Sequence, residues 1–167
     1  MSGGHCFHPS VLREYDIRGI VGETLGPEDA RAVGQGFGSR IVRAGGRRVA
    51  VGYDGRISSP ALMACVTEGL ASTGLDVVRV GRGPTPMLYF AVRALGLDGG
   101  VMVTGSHNPP DYNGFKMMLG KAGFWGEDIR ALGRAVAAGD LAQGQGRLVD
   151  QAVFEDYVAR LERDYAA

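Results

Sequence analysis

Thr104-Gly105-Ser106-His107-Asn108-Pro109-Pro110 follows the apolar run Val101-Met102-Val103. A short apolar run bounded by turn residues reads as a buried strand. Gly105 permits a tight turn. Pro109 and Pro110 stiffen the exit and bias Asn108 away from the helical region. The stretch is therefore expected to form a rigid loop at the C-terminal end of a strand, with Ser106 at its tip. A lone serine in such a place is more often a turn residue. Its neighbours argue for chemistry: the His107 imidazole can give or take a proton, and Lys116 follows on Asn113-Gly114-Phe115-Lys116.

Outward from this loop the chain alternates short apolar runs with helical stripes. Gly99 to Val103 is the strand leading into Ser106, and Phe115 to Leu119 is the next. The short turn Asp111 to Gly114 between them predicts antiparallel pairing. Upstream, Arg47 to Gly52, with Val49 and Val51 buried, and Leu75 to Val80 read as strands. Pro27 to Ala44 is a helix with Pro27, Glu28 and Asp29 suited to its first turn and Val33, Phe37 and Ile41 facing inward. Gly34, Gly36 and Gly38 along it read as close packing against the sheet. A second helix is capped by Ser58 or Ser59 with Pro60 at its first position, buries Leu62, Val66 and Leu70, and is ended by Gly74. A third runs over Met87 to Leu95, with Thr85 as its N-cap. A fourth covers Glu127 to Ala138, with Ile129, Leu132 and Val136 inward. Gln143 to Gly146 reads as a flexible connection. Val153, Phe154, Tyr157, Val158 and Leu161 mark a last helix whose apolar residues lack a partner. At the other end, Leu12 to Val21 reads as an extended arm or short hairpin.

This order predicts a three-layer α/β/α domain with a mixed, mostly parallel sheet of about four strands, the last antiparallel. Crossovers are expected to be right-handed. Residues 1–10 form a lead-in, 11–150 the domain, and 151–167 a helix leading toward a further domain.

A chain of 167 residues is one domain by length. Its formal net charge of zero gives no attraction to nucleic acid or an anionic membrane. No apolar run approaches the roughly 20 residues of a membrane span. The first ten residues lack a signal pattern, so the cytoplasm is the default. Cys6 and Cys65 make no disulfide framework. His5, Cys6 and His8 are soft metal ligands, but three near a terminus are expected to sit in solvent. Other schemes fail on spacing: Asn108 stands where a G-x-S-x-G elbow needs glycine, and neither a Walker A loop nor a dinucleotide fingerprint occurs.

The block Thr104-Gly-Ser-His-Asn-Pro-Pro-Asp-Tyr-Asn-Gly-Phe-Lys116 resembles the phosphoserine loop of the α-D-phosphohexomutases, the phosphomannomutase/phosphoglucomutase family. Arg13-Glu-Tyr-Asp-Ile-Arg-Gly19 resembles that family's N-terminal signature. Gly52-Tyr-Asp-Gly-Arg56 and Pro84-Thr-Pro86 agree with it. The resemblance runs over nearly the whole chain but covers only the first of the family's four domains. It implies that phosphorylated Ser106 gives its phosphoryl group to a hexose monophosphate and recovers one from the hexose 1,6-bisphosphate so formed. Lys116 would be the general acid/base, with His107 as an alternative proton carrier or an orienting group. Tyr15 and Arg18 would lie beside the sugar phosphate, where the plainer reading is a surface ion pair of Asp16 with Arg18. Asp54, Arg56 and Asn108 would support the loop, although Asp54 and Arg56 can simply pair with each other.

The resemblance also implies one Mg²⁺. The Ser106 phosphate would be one ligand, and aspartates of a DGDxDR-type loop in the second domain the others. The chain contains no such loop, so its partners would be the remaining mutase domains as well as hexose phosphates. The isolated chain is expected to be inactive. Mannose or glucose preference belongs to the later domains. Two other readings stay open: a free-standing binding or regulatory module, and a phosphatase using Ser106 without metal ligands in the same chain.

Overall fold

A computed structural model describes residues 4–166. In chain order its elements are β1 (Ile17–Ile20), α1 (Pro27–Arg43), β2 (Arg48–Tyr53), α2 (Ser59–Ala71), β3 (Asp76–Arg82), α3 (Thr85–Ala94), β4 (Gly99–Val103), β5 (Tyr112–Leu119), β6 (Ala122–Gly123), α4 (Glu127–Ala138), β7 (Leu148–Asp150) and α5 (Phe154–Tyr165). The strands form one sheet in the order β1-β5-β4-β2-β3-β7, with β6 on β5. β4, β2, β3 and β7 run parallel, whereas β5 pairs antiparallel with β4, β1 and β6.

The sheet thus has seven strands rather than about four. The three additions are short: β1 comes from the N-terminal arm, β6 has two residues and β7 three. Segments of that length carry almost no alternation to read. β5 also begins three residues earlier than its apolar run, because Tyr112, Asn113 and Gly114 pair with Ile20, Gly19 and Arg18 instead of turning.

Strand alternation sorts the core into two faces. Val49, Val51, Val77, Val101, Val103, Phe115 and Met117 pack with α1, α2 and α4. Ala50, Val78, Val80, Met102 and Met118 pack with α3. On this second face α3 rests on β2 and β4. Farther along it, the β1–β5 corner carries Asp16, Arg18 and Lys116 rather than an apolar stripe.

The glycines of α1 pack against α2, the turn that follows it and α4, not the sheet. A Cβ on Gly34 would overlap the Val66 carbonyl of α2, one on Gly36 would press Leu132 and Val136 of α4, and one on Gly38 would meet Thr73. Without side chains there, α1 sits tightly between its two neighbours.

Several ends differ from their sequence signals. Pro84 is the N-cap of α3, and Thr85 is its first helical residue. Ser58 is the N-cap of α2 but makes no side-chain cap bond. The 143–146 connection is pinned rather than flexible: Gly144 and Gly146 donate to the carbonyls of Ser72 and Ala71 at 2.8 and 2.9 Å. In α5 no residue is buried, and Phe154 and Tyr165 stand 52% and 83% exposed. Buried Val153 anchors its start, and Tyr157 meets Phe90 at 5.7 Å between ring centroids.

Candidate active site

β4 ends at Val103, and the loop that follows is held from below by the loop after β2. The Asp54 N–H donates to the Val103 carbonyl at 2.9 Å, locking the two strand ends together. Asp54 Oδ2 accepts from the Gly105 N–H at 3.0 Å. Its Oδ1 accepts from the Ser59 hydroxyl at 2.5 Å and the Arg56 N–H at 3.0 Å. Burial pushes this carboxyl up. The hydrogen bonds from Ser59 and from the Arg56, Thr104 and Gly105 groups outweigh burial and hold it below the usual carboxylate range. The Ser59 hydroxyl therefore serves the loop rather than capping α2.

Arg56 clamps the loop's carbonyls. Its Nη2 donates to Ser106 O at 3.2 Å and Asn108 O at 2.7 Å. Its Nη1 donates to Pro109 O at 2.5 Å and Tyr112 O at 3.0 Å. A rigid fork of donors is what such an arrangement needs. The Asp54–Arg56 pair exists as well, with Nε 3.5 Å from Oδ2. Gly105 is required for space: a Cβ there would overlap the Arg56 guanidinium. Asn108 closes the turn from inside, donating from N and Nδ2 to Gly105 O at 3.0 Å each.

The clamp fixes Ser106 at φ +52°, the one positive φ outside glycine among the described residues. Such a backbone costs an L-residue roughly 1–2 kcal/mol and persists only where the surroundings over-determine it. The Ser106 N–H is tied to Thr104 Oγ1 at 2.9 Å. Its side chain and that of His107 are exposed, and neither has a hydrogen bond among the described residues.

Beside the loop lies a cationic corner. Arg18 is 1% exposed. Its Nη1 donates to the Thr104 carbonyl, its Nη2 to Asp16 Oδ2 at 2.7 Å, and its buried Nε has no partner. Lys116 Nζ donates to the same Asp16 Oδ2 at 3.1 Å. The Asp16–Arg18 ion pair is thus present but is not a surface pair. Gly114, opposite Arg18, leaves the room: a Cβ there would overlap the Ile17 carbonyl and lie 3.0 Å from Arg18 Cα. Burial raises the Asp16 carboxyl, but Arg18 and then Lys116 hold it below the ordinary range. Tyr15 stands 74% exposed, its ring 6.3 Å from that of Trp125.

Two contributors are absent from the site expected from sequence. The pattern marks Asp16 only as half of an ion pair, and Asn113 only as part of a turn. Asn113 is fully buried and donates to the hydroxyls of Ser58 and Ser59 at 2.8 and 2.9 Å. An amide before a glycine in a hairpin looks like turn chemistry, so no sequence signal marks it. A cleft of about 580 Å³ opens beside the loop, lined among others by Asp54, Arg56, Ile57, Asn108 and Asp111. At the N-terminus, His5 Nε2 pairs with Asp29 Oδ1 and His8 Nδ1 with Ser10 Oγ, both at 2.8 Å.

The sequence profile described as "Phosphoglucomutase/phosphomannomutase, alpha/beta/alpha domain I" matches residues 10–142. The chain belongs to the phosphoglucomutase/phosphomannomutase family. A phosphomannomutase/phosphoglucomutase of Pseudomonas aeruginosa is 43% identical over 157 residues, 94% of this chain and 34% of the relative. A phosphoglucomutase of Neisseria meningitidis serogroup B is 42% identical over 153 residues, 90% and 33% of the two chains. A crystal structure of a family protein from Burkholderia thailandensis superposes with a TM-score of 0.90 at 41% identity, covering 95% of this chain and 36% of the other. That of a putative phosphomannomutase from Thermus thermophilus gives 0.81 at 28%, covering 96% and 36%. The chain spans about a third of the length of the curated relatives it matches.

The Mg²⁺ implied by the resemblance is not matched by a cluster of ligating side chains among the described residues. Mg²⁺ prefers several oxygen ligands in an octahedron, and no group of three or more His, Cys, Asp or Glu side chains among the described residues could hold a metal ion. No helix among the described residues is long and apolar enough to cross a membrane.

Proposed function

We propose that this chain is the phosphoserine-bearing part of an enzyme that interconverts hexose 1-phosphate and hexose 6-phosphate. One observation carries the proposal. Ser106, alone among the described non-glycine residues, is held at positive φ, with its hydroxyl free on a loop whose carbonyls Arg56 clamps. Strained backbone that exposes a nucleophile is a cost with no structural return. The relatives' names support the reaction class.

In the cycle, a hydroxyl of the bound hexose monophosphate attacks the phosphorus of phospho-Ser106. The new P–O bond forms as the P–Oγ bond breaks. Lys116 gives a proton to the departing Oγ and takes one from the attacking hydroxyl, so it ends as it began. The bisphosphate turns over in the site, and its other phosphate returns to Ser106 by the same steps. Positioning and charge neutralisation do most of such a transfer. Arg18 and Lys116 supply cationic charge beside a phosphoserine of about −1.5 to −2. His107 orients the phosphate, and Tyr15 meets the sugar phosphate from the exposed side.

Residues 151–167 belong to the same proposal. We assign residues 1–10 as a lead-in, 11–150 as the phosphoserine domain, and α5 as the lead toward a second domain that covers its apolar face. The exposure of Phe154 and Tyr165 supports this. Alone, the chain would not turn over.

The test is phosphosite mapping of the native polypeptide, with Ser106→Ala alongside. Phosphate on Ser106, lost in the variant while the fold survives, is the expected result. Undiminished phosphate incorporation in Ser106→Ala would refute the assignment. Mutase turnover by residues 1–167 alone would refute the expected inactivity.

A further inference from the structure

Asp16 has no part in the cycle above, yet it is the only group that touches both cations of the corner among the described residues. One oxygen, Oδ2, accepts from Arg18 Nη2 at 2.7 Å and from Lys116 Nζ at 3.1 Å. The two donors differ in freedom. Arg18 is 1% exposed and tied by Nη1 to the Thr104 carbonyl, the first of the serine loop. Lys116 is 28% exposed and ends a flexible four-carbon stem. Across the strand it pairs with Met102 of β4, and on its own face the preceding residue is the bare Gly114. No other hydrogen bond holds its Nζ among the described residues. A run of fixed contacts therefore leads from Thr104 O through Arg18 and Asp16 to the Lys116 ammonium.

We infer that Asp16 is a positioning residue, which holds the Lys116 ammonium in register with the Ser106 loop by way of Arg18. The inference rests on Lys116 being the proton carrier. The geometry gives it two further parts. Asp16 neutralises only one of two cations, so the corner keeps a net positive charge toward an arriving phosphoryl group. And because Arg18 binds both Asp16 and the loop, any shift of the loop carries Lys116 with it.

The experiment is a double-mutant cycle in the full-length protein that carries this chain. Asp16→Asn is nearly isosteric and keeps an acceptor for Arg18. It should lower kcat at least tenfold while KM for the hexose phosphate stays within about twofold. In a Lys116→Ala background the same change should have no further effect on kcat. An unchanged kcat in Asp16→Asn, or an equal loss in both backgrounds, would overturn the inference. If Lys116→Ala itself leaves kcat intact, the proton-carrier assignment falls, and this inference with it. If Lys116→Ala is inactive but Asp16→Asn is not, this inference alone falls. A second readout is independent of turnover. The chain has two lysines, Lys116 and Lys121, so acylation by a lysine reagent, mapped by mass spectrometry, can use Lys121 as an internal reference. Asp16→Asn should raise labelling of Lys116 relative to Lys121 several-fold, and an unchanged ratio would count against the contact. Should Asp16→Asn fail to fold, Asp16→Glu keeps the charge and moves it by one methylene. It should still lower kcat several-fold with KM unchanged, and wild-type kcat in that variant would overturn the inference.

Discussion

Replacing Ser106 once by glycine and once by alanine separates the backbone of this position from its hydroxyl. Both variants lack Oγ, so both lose any phosphate, and they differ only in what φ +52° costs them. Alanine still bears the left-handed penalty of roughly 1–2 kcal/mol. Glycine escapes it but loses about 0.5–1 kcal/mol more conformational freedom on folding. Taken at the middle of each range, the difference favours glycine by about 0.5–1 kcal/mol. For a chain of this size about 1 kcal/mol moves Tm by roughly 2–4 °C, so Ser106→Gly should melt about 1–4 °C above Ser106→Ala. Calorimetry of the two side by side reads this directly. An alanine variant as stable as the glycine variant, or more so, would mean that the clamp from Asp54 and Arg56 does not impose the left-handed backbone, and the strain argument would fail.

Arg56→Lys keeps the charge but not the fork that reaches the carbonyls of Ser106, Asn108, Pro109 and Tyr112. It should cost about 2–3 kcal/mol in urea unfolding, with faster amide exchange at Asn108; an unchanged midpoint would refute the clamp. Gly34→Ala gains about 1 kcal/mol of helix propensity but drives a methyl into the α2 backbone. Overpacking of about 1–3 kcal/mol or more should win and lower Tm, whereas a rise would show that α1 and α2 can separate freely. Asp54 has its folded carboxyl lowered below the unfolded value, so its contribution is complete above about pH 4 and fades as pH falls through the lower folded value. The stability gap between wild type and Asp54→Asn should therefore be full near pH 7 and shrink below about pH 4. A gap that stays constant across that range, measured by denaturant titration, would refute the ionic role.

The serine loop, the strand that feeds it and all five helices are legible because each is written locally. Apolar runs, a 3.6-residue stripe and Gly/Pro punctuation lie within a dozen residues of one another. What is illegible depends on partners distant in the chain. Ile17 to Ile20 looks like an arm until β5 is beside it. The α1 glycines announce a close approach, but nothing in a helical stripe says whether the neighbour is a sheet or another helix. Arg18 sits between Ile17 and Gly19 in either a surface pair or a buried one. Only the Thr104 carbonyl and the gap at Gly114 decide that it is buried.

β1 has one consequence for how the protein is made. Arg18 is 86 residues from the carbonyl it holds, and Asp16 is 100 residues from Lys116. Chains leave the ribosome N-terminus first, so the arm bearing Tyr15, Asp16 and Arg18 emerges early and then waits for β5. The parallel strands β2, β3 and β4 can associate in the meantime. The cationic corner is therefore completed only once β5 has emerged, and a chain released before Lys116 would carry the arm's Asp16 and Arg18 without the lysine they face.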